Sequence, residues 1–380
     1  MKSILQKDLW SITSFLENKN YKFNKENILT QLPEKFIDEA IEAISSWDNY
    51  APTPLIKLNK LNDELKLKNI YYKDEDKRFE LKSFKALGGA FAVYKIASEK
   101  KNITVSTATA GNHGRSVAWG AQRLGLKCKI FISEFVSESR AEAMRNLDAE
   151  VIRVKGNYDN SLKECIEQSN KNNWEIVQDV SWEGYKEVPK LIMAGYTIMV
   201  KEIIDEINKN SITHVFLQAG VGGMAAAMIA GFAKLSENIP QFIIIEPENA
   251  DCVFQSIKNN KPTTVDIKKE TVMGGMSCGD VSSIAWEILK NSANYCLTIP
   301  DEAISTAVAL LAEKRLSNEK IIGGECAVPG VIALIGSFNN KEYLDKLKLN
   351  SESNVLLFGC EGLTDNAMYQ KLLSDGLRKI

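Results

Sequence analysis

Residues 71–90 read YYKDEDKRFELKSFKALGGA, and the rest of the sequence is best interpreted outward from them. The segment closes an apolar strand, crosses a charged connection and opens a helix at Ser83-Phe84-Lys85. A helix N-terminus carries partial positive charge, so it is an unfavourable place for a lysine. Lys85 is therefore either a solvated lysine on an amphipathic helix or a desolvated amine with a lowered pKa. An amine of the second kind can form a Schiff base with a carbonyl cofactor.

The composition describes an ordinary globular enzyme. With 380 residues, of which 44% are hydrophobic and 25% charged, the chain is long enough for two domains with large cores. Its 47 basic and 49 acidic residues leave a formal net charge of -2, so no overall field favours nucleic acid or an anionic membrane. A small neutral or zwitterionic molecule is the expected partner.

The N-terminal residues and the cysteines indicate a cytoplasmic protein. Residues 1–30 contain no continuous apolar core like that of a signal peptide, and no apolar run elsewhere approaches the length of a membrane span. Seven cysteines are scattered without CxxC pairs, which favours reduced thiols over a zinc site or a disulfide framework. Since His113 and His214 are the only histidines, neither a metal site nor a mechanism built on histidine is expected.

Short apolar runs alternate with amphipathic stretches, which is typical of parallel βαβ units and predicts an α/β fold. Strands are predicted at residues 104–107, 129–132, 151–154, 175–178, 214–217, 242–245 and 355–358. Helices are predicted at residues 114–124, 138–147, 160–170, 196–207 and 223–236, with another at 34–44 in a peripheral N-terminal layer. Because no long linker interrupts the pattern, we expect two interwoven domains, with sites at the carboxyl ends of their strands.

Three segments at predicted strand ends have the composition of binding loops. Residues 107–115 read TATAGNHGR, whose small residues can expose backbone N–H groups to an anion at a helix N-terminus. Residues 218–224 read QAGVGGM, in which the glycines allow a backbone nest around a phosphate. Residues 177–185 read VQDVSWEGY and place Asp179 beside aromatic side chains. Taken singly, these could be a plain turn, a dinucleotide loop and a helix-capping aspartate.

Taken in order, the motifs resemble one known family. Ser83-Phe84-Lys85 followed by Gly88-Gly89 resembles the cofactor-lysine motif of the fold-type II pyridoxal-phosphate (PLP) enzymes. The longer pattern, from Lys73-Asp74-Glu75 through Arg78-Phe79 to Lys85, looks most like that of the diaminopropionate ammonia-lyases. The resemblance extends over residues 30–370. It implies a large PLP-binding domain made of residues 1–86 and 174–380 and a small domain made of residues 87–173.

The resemblance also implies which residues bind the cofactor. Lys85 would carry PLP, Asn112 would donate to its phenolic oxygen, and the backbone near Gly275 would lie beside it. Cys360, after the last strand, would face the pyridine nitrogen as a neutral partner, which suits β-elimination more than transamination. The phosphate cup would be formed by Gly220, Val221, Gly222, Gly223 and Met224.

The substrate would be bound by a second set of residues, again by resemblance. Asp179 would bind the side-chain ammonium of the substrate or remove its α-proton, for which burial or a nearby like charge would be needed. The remaining substrate-binding residues would be Thr109, Ala110, Gly111, His113 and Tyr185.

Two departures from the family pattern affect the expected substrate. Ala110 replaces the family aspartate that is linked with deprotonation of the D-isomer, so this chain either acts only on L-substrates or has changed towards a serine or threonine dehydratase. The family stretches GESGA and EGDTD are GECAV at residues 324–328 and EGLTD at residues 361–365.

The expected reaction is β-elimination from a small L-amino acid, with 2,3-diaminopropionate as the expected substrate and pyruvate and ammonia as products. The alternatives are a serine/threonine dehydratase or a β-replacement enzyme on the same fold, a nicotinamide oxidoreductase that uses the Gly220 loop, and a catalytically silent PLP-binding protein. Because relatives of this fold are usually dimers, a homodimer is expected.

Overall fold

Two mostly parallel sheets form the framework, one in each of two units of the chain. The computed structural model describes Leu5 and residues 8–109, 111–207 and 211–380. The first unit consists of Met1–Gln31, Pro52–Lys77 and Met199–Ile380, and the second of Leu32–Ala51 and Arg78–Ile198. The chain therefore leaves and re-enters each unit, as expected for interwoven domains. Lys85 and residues 32–51 belong to the second unit. The boundaries expected from the sequence had assigned them to the large domain.

The sheet of the first unit has seven strands in the order β1-β10-β9-β8-β11-β3-β2. Its five inner strands are parallel, and the edge strands β1 and β2 are antiparallel to their neighbours. The strands are β1 (Ser14–Glu17), β2 (Leu55–Lys57), β3 (Asn69–Asp74), β8 (His214–Gln218), β9 (Gln241–Pro247), β10 (Tyr295–Ile299) and β11 (Asn354–Gly359). Every residue of β8 and β11 is buried, because helices cover both faces of a parallel sheet.

Ten described helices belong to this unit. They are α1 (Lys25–Gln31), α3 (Asn59–Leu65), α9 (Ile198–Glu206), α10 (Gly223–Leu235), α11 (Cys252–Asn259), α12 (Ser283–Ser292), α13 (Ile304–Ala312), α14 (Pro329–Phe338), α15 (Lys341–Leu347) and α16 (Asn366–Leu377). Helix α13 is apolar on all sides and buried along its whole length, and α10 and α14 are buried almost throughout. Such helices form the interior of a large domain rather than its surface.

The second unit is smaller and its sheet is entirely parallel, in the order β6-β5-β4-β7. Its strands are β4 (Thr104–Ala108), β5 (Lys127–Ser133), β6 (Glu150–Val154) and β7 (Glu175–Ile176). Its helices are α2 (Glu34–Ser45), α4 (Lys85–Glu99), α5 (Asn112–Arg123), α6 (Glu138–Arg145), α7 (Tyr158–Asn172) and α8 (Glu187–Tyr196).

Both sheets reverse the direction in which they are wound. In the first unit the chain proceeds outward from β8 through β9 to β10, and then returns to place β11 on the other side of β8. In the second unit it proceeds from β4 through β5 to β6, and then places β7 on the other side of β4. In open α/β sheets a crevice forms at the carboxyl edge where the winding reverses, and ligands bind there. The loops after β8, β11, β4 and β7 therefore lie where a ligand is expected to bind.

The predicted strands and helices are present, with ends that differ by a few residues. The prediction of a peripheral helical layer at the N-terminus was wrong in one respect, because residues 14–17 form the edge strand β1, which pairs with β10. The helix predicted at residues 34–44 is α2, whose inner face buries Ile37, Ala40 and Ile44. Strands β1, β2 and β10 were not predicted. Strands β1 and β2 are short, the pairing partner of β1 lies far away in the sequence, and β2 directly follows a segment that contains prolines.

A charged network lies inside the first unit. Lys73 on β3 is fully buried, and its Nζ pairs with Glu202 Oε2 of α9 at 2.6 Å and donates to the Thr53 carbonyl at 2.7 Å. The Thr53 hydroxyl donates to Glu75 Oε1 at 2.6 Å. A charge taken out of water is tolerated only when its partners are well aligned. The network therefore fixes the extended segment at residues 52–54 against β3 and α9.

Among the described residues, no helix is both long enough and apolar enough to cross a lipid bilayer. All seven cysteines are free thiols, and six of them are buried.

Replacing Glu202 by alanine should destabilise the first unit strongly, because it leaves the Lys73 ammonium buried without its carboxylate. The expected loss in the free energy of unfolding is about 3–5 kcal/mol, as for other broken buried ion pairs. Urea unfolding followed by circular dichroism measures it. The matched control is Asp205→Ala on the same helix, where the ion pair with Lys201 is largely exposed and contributes little. Equal effects of the two substitutions would contradict the structural importance of the buried pair.

Candidate active site

Lys85 is the first residue of α4, and its amine is held by an aspartate of a distant segment. Lys85 Nζ donates to Asp179 Oδ2 at 2.5 Å. The amine also lies 5.4 Å from the ring centre of Phe84 and 5.9 Å from that of Tyr196, so two aromatic rings face the charge. The lysine side chain is 23% exposed and that of Asp179 15%. The structure thus brings together the two residues predicted to be catalytic.

The charge of this pair is set by its surroundings. Burial raises the pKa of the Asp179 carboxyl, but the His113 ring and the Lys85 amine beside it outweigh this effect and hold that pKa well below its usual range. Burial lowers the pKa of His113 itself, which favours its neutral form. His113 Nδ1 lies 3.8 Å from Asp179 Oδ2, and Nε2 is bonded to the Val177 carbonyl at 2.8 Å.

The loop after β4 is organised by a threonine hydroxyl. Thr109 Oγ1 accepts hydrogen bonds from the N–H groups of Gly111 at 3.1 Å and Gly114 at 3.3 Å, and Thr109 is buried. Asn112 begins α5 directly after this turn. The hydroxyl therefore shapes the loop that was predicted to bind the substrate carboxylate. Ala110, the residue that departs from the family pattern, lies outside the described residues.

A glutamine that the sequence interpretation did not single out joins this loop to the Asp179 segment. Gln178 Oε1 accepts from the Ala108 N–H at 3.1 Å, and Nε2 donates to the Ala108 carbonyl at 2.9 Å and to Tyr158 Oη at 2.7 Å. The side-chain amide thus continues the β4–β7 ladder after β7 ends at Ile176. It positions the residue that follows it, Asp179, against the end of β4.

Tyr185 was predicted to bind substrate, but its hydroxyl is used within the protein. It donates to the Ile176 carbonyl at 2.8 Å and accepts from the Gln178 N–H at 2.9 Å. Its ring stacks on Trp182 with centroids 4.2 Å apart. Tyr185 therefore holds the backbone of the segment that leads to Asp179. Its contact with a substrate remains a prediction.

Gly88 of the lysine motif and Gly195 of α8 are explained by the close packing of α4 against α8. A Cβ atom at Gly88 would collide with Cε1 of Tyr196 and would lie 2.5 Å from the Ile192 carbonyl oxygen. A Cβ atom at Gly195 would lie 2.7 Å from the Leu87 carbonyl oxygen. Helices α4 and α8 therefore approach each other at these glycines, and this brings the Tyr196 ring close to the Lys85 amine. Tyr196 was not predicted, since nothing adjacent in the sequence marks it.

In the first unit, residues 219–222 form a tight turn between β8 and α10. Gly222 adopts a φ of 87°, a left-handed conformation that favours glycine. A Cβ atom at Gly220 would lie 2.9 Å from Cys278 Sγ and 3.2 Å from the Gly275 carbonyl oxygen. The structure thus brings the Gly220 loop against Gly275, and a side chain at Gly220 would separate them. That Gly275 lies beside the cofactor remains a prediction.

Cys360 follows β11, at the reversal of the first sheet. Its thiol donates to the Cys326 carbonyl at 3.1 Å, and the same carbonyl accepts from Gln218 Nε2 at 2.9 Å. The Cys326 N–H donates to Glu361 Oε1 at 3.0 Å, and burial raises the pKa of the Cys326 thiol well above its usual range. The changed family stretches at residues 324–328 and 361–365 therefore contact each other. A role of Cys360 towards a pyridine nitrogen remains a prediction.

The start of α10 has the properties of an anion site. The helix is 13 residues long, so its N-terminal N–H groups and dipole favour a negative group. No atom lies within 4 Å of the place that a Cβ atom of Gly223 would occupy, apart from the glycine's own chain neighbours and helix backbone. The backbone here is accessible to a ligand, in contrast to the crowded Gly220 and Gly222. Val221 and Met224 complete the segment predicted to be the phosphate cup.

A family model described as "Pyridoxal-phosphate dependent enzyme" matches residues 47–360. This chain belongs to the pyridoxal-phosphate dependent enzyme family. The family resemblance and the fold-type II architecture predicted from the sequence are confirmed, as is PLP as the cofactor.

Relatives of this PLP-dependent enzyme agree with that assignment. The diaminopropionate ammonia-lyase of Escherichia coli (strain K12) is 34% identical over 351 residues, which cover 86% of this chain and 88% of the relative. The catabolic L-threonine dehydratase of Staphylococcus aureus (strain USA300) is 26% identical over 319 residues, which cover 83% and 88%. A crystal structure of the E. coli ammonia-lyase with an aminoacrylate-PLP azomethine reaction intermediate has a TM-score of 0.89 at 32% identity, covering 96% of this chain and 98% of that one.

The residues of this PLP-dependent enzyme fit its cofactor. A primary amine that can react with an aldehyde is present in Lys85, which is partly exposed and faces two rings. Backbone N–H groups with open space beside them are present at Gly223, where they suit a phosphate.

Gly88→Ala should destabilise the PLP-dependent enzyme, although alanine is the better helix former. The gain in helix propensity is about 1 kcal/mol, whereas overpacking against the Ile192 backbone costs about 1–3 kcal/mol or more because a backbone atom cannot move aside cheaply. The measurement is thermal unfolding by circular dichroism. Gly274→Ala is the control, since no atom lies within 4 Å of its added methyl group. A melting temperature that rises in Gly88→Ala would refute the close approach of α4 and α8.

Proposed function

We propose that this enzyme eliminates the β-amine of L-2,3-diaminopropionate and releases pyruvate and ammonia. The observation that carries the proposal is the 2.5 Å pairing of Lys85 with Asp179 at the point where the second sheet reverses. A carboxylate and an amine in contact can remove a proton from the α-carbon of an amino acid and return one to it. The 34% identity with an ammonia-lyase, against 26% with a dehydratase, supports diaminopropionate as the substrate.

The proposed cofactor contacts follow from the family resemblance. We propose that Lys85 binds the aldehyde carbon and that Asn112 donates to the phenolic oxygen. We also propose that the backbone from Gly220 to Met224 binds the phosphate, with Gly275 behind it and Cys360 as the neutral partner of the pyridine nitrogen. When bound, PLP supplies an electron sink that makes the α-proton of an amino acid acidic enough to be removed.

Asp179 is the proposed base for the L-substrate. While it is paired with Lys85, its pKa is held low and the carboxylate is a weak base. Without the lysine charge, less positive charge opposes the effect of burial, and the pKa of the Asp179 carboxyl rises. Asp179 Oδ2 can then accept the α-proton, while Gln178 and Tyr185 hold the segment in place. His113 is buried and neutral, and a hydrogen bond between its Nε2 and the Val177 carbonyl holds its ring in place.

Selectivity for the L-isomer is part of the proposal. It is supported by Ala110, because a methyl group cannot replace the carboxylate that the family places there for the D-isomer. The remaining substrate contacts are proposed to come from Thr109, Gly111, His113 and Tyr185. A serine or threonine dehydratase is the second candidate, supported by the same Ala-Gly-Asn-His sequence at residues 110–113. A hydroxyl leaving group requires an acid that an ammonium does not, so pyruvate formation from serine distinguishes the two.

Two further features of the proposal concern the protein as a whole. We place the enzyme in the cytoplasm, because seven free thiols suit a reducing compartment. We also propose a homodimer, on the resemblance to fold-type II enzymes alone, and light scattering of the purified protein tests it.

Asp179→Asn should lower turnover of L-diaminopropionate by about a hundredfold to ten-thousandfold, which is the usual contribution of a positioned general base. The native enzyme should not act on the D-isomer. Pyruvate formation from each isomer measures both effects, and an unchanged visible band of bound cofactor serves as the control for occupancy. Similar native rates on the two isomers would remove the role given to Ala110. Strong L-activity in Asp179→Asn would return the base role to Lys85.

Gly223→Asp should weaken binding of PLP without disturbing the fold. The added methylene meets no neighbour within 4 Å, and an acid in the first turn of a helix is tolerated, so repulsion of the phosphate is the main effect. Gly223→Ser is the matched control, with a similar size and no charge. Spectroscopic titration of the cofactor-free variants with PLP measures the dissociation constants. Equal affinities of the Asp and Ser variants would place the phosphate elsewhere.

A further inference from the structure

His113 presents an acceptor nitrogen to the carboxylate of Asp179. It is the second residue of α5, one of only two histidines in the chain, and 5% exposed. Its Nε2 lies 2.8 Å from the Val177 carbonyl oxygen. A carbonyl oxygen can only accept a hydrogen bond, so the proton of the neutral ring is on Nε2. Nδ1 therefore carries a lone pair and no proton.

The lone pair of His113 Nδ1 has no hydrogen-bond partner among the residues that the structure describes. Asp179 Oδ2 lies 3.8 Å away, which is too long for a hydrogen bond. Both atoms are acceptors in these protonation states, and a buried acceptor without a donor is unfavourable. One proton placed between them would join them once the gap closes by about 1 Å. The arrangement therefore has the geometry of a site for a proton that arrives during the reaction.

Of the two groups, the ring is the stronger base. An unperturbed histidine has a pKa of about 6.5 and an unperturbed aspartate one of about 3.9. Burial lowers the pKa of His113, while the two charged groups that act on the ring oppose each other, since Asp179 raises it and Lys85 lowers it. Against the effect of burial, the ring and the Lys85 amine hold the pKa of Asp179 well below its usual range. A proton taken up by Asp179 is therefore held more tightly at Nδ1.

We propose that His113 is a positioning residue that receives, through Asp179, the proton removed from the α-carbon of the substrate. The Cα–H bond breaks, its electron pair stays with the substrate, and an O–H bond forms at Asp179 Oδ2. That O–H bond then breaks as an N–H bond forms at His113 Nδ1, and Asp179 returns to its carboxylate form. The released ammonia, a stronger base than imidazole, takes up the proton at the end.

The inference rests on the proposed role of Asp179 as the base, and it removes a difficulty in that role. A carboxylic acid with a low pKa returns a proton to the carbon from which it came unless the proton moves on. The carboxylate that is left behind favours the charged form of the ring, because opposite charges face each other. The Val177 carbonyl keeps the ring oriented so that Nδ1 faces Asp179.

His214, the other histidine, is a natural control. It belongs to the first unit, where its Nε2 lies 2.8 Å from the Leu347 carbonyl oxygen and its Nδ1 lies 2.7 Å from Thr213 Oγ1. Both nitrogens of this ring are therefore paired. Burial lowers its pKa, as it does that of His113. The two rings share burial and a carbonyl at Nε2, and they differ in the group that faces Nδ1.

The first test observes both rings in the full-length protein without cofactor, so it does not depend on turnover. Proton–nitrogen NMR of isotope-labelled histidine shows which ring nitrogens carry protons and at which pH each ring titrates, and His214→Gln assigns the signals. The neutral His113 ring should be protonated at Nε2 and bare at Nδ1. Asp179→Asn should lower the pKa of His113 by about 1–3, the usual effect of losing an opposite charge, and should leave that of His214 unchanged.

The second test follows pyruvate formation from L-diaminopropionate as a function of pH. His113→Gln keeps a donor for the Val177 carbonyl and removes the basic nitrogen. It should lower kcat at neutral pH by about 10- to 100-fold, the size expected for one hydrogen bond to a charged group. The native kcat should fall below the pKa that NMR gives for His113, because a protonated ring cannot accept a proton. This acid limb should be absent in His113→Gln, and His214→Gln should change neither the limb nor kcat.

A neutral His113 ring protonated at Nδ1 would overturn the inference, because such a ring donates to Asp179 and cannot receive its proton. A pKa of His113 that Asp179→Asn leaves unchanged, or an acid limb that persists in His113→Gln, would do the same. The NMR test does not use His113→Gln, so it decides the matter even if that variant fails to fold. Absence of pyruvate with the native enzyme would refute the proposed reaction, whereas the NMR results refute only the role of His113.

Discussion

Each sheet reverses its winding once, and the position of every candidate functional loop depends on that reversal. Parallel strands must be joined by long crossovers, so consecutive strands spread to one side until the chain changes direction. The change falls between β8 and β11 in one unit and between β4 and β7 in the other. The segments that follow these four strands carry the glycine loop, Cys360, the Thr109 loop and Asp179. Four motifs that lie far apart in the sequence thus occupy equivalent places in two sheets.

Lys85 and Asp179, which meet at the end of the second sheet, each carry a charge that its surroundings disfavour. A lysine at a helix N-terminus is opposed by the helix dipole, and a buried carboxylate is opposed by desolvation. Each of these costs is reduced when Lys85 and Asp179 meet, which makes their pair stable and the carboxylate unreactive.

Local sequence patterns were sufficient to predict the α/β fold and the binding loops that follow its strands. The alternation of apolar runs with amphipathic stretches and the placement of glycines are properties of neighbouring residues. They were insufficient for groups that act through distant contacts. Tyr196 reaches Lys85 only because two glycines, at positions 88 and 195, let helices approach. Gln178 was not singled out, because its side-chain amide hydrogen-bonds to Ala108, a residue of β4 that is distant in the sequence. Strand β1 was missed for the same reason, since its pairing partner β10 lies at Tyr295–Ile299.

The interleaving of the units also determines the order in which the chain can fold during synthesis. The second unit is complete once Ile198 has been made, and its four strands need nothing that comes later. Strand β3, by contrast, waits for β11, which begins at Asn354, and Thr13 waits for a partner 285 residues away. Until then the nascent chain carries an apolar strand with an open edge, a state prone to aggregation and suited to chaperones. The chain is therefore most prone to aggregation during translation, before β11 has been made.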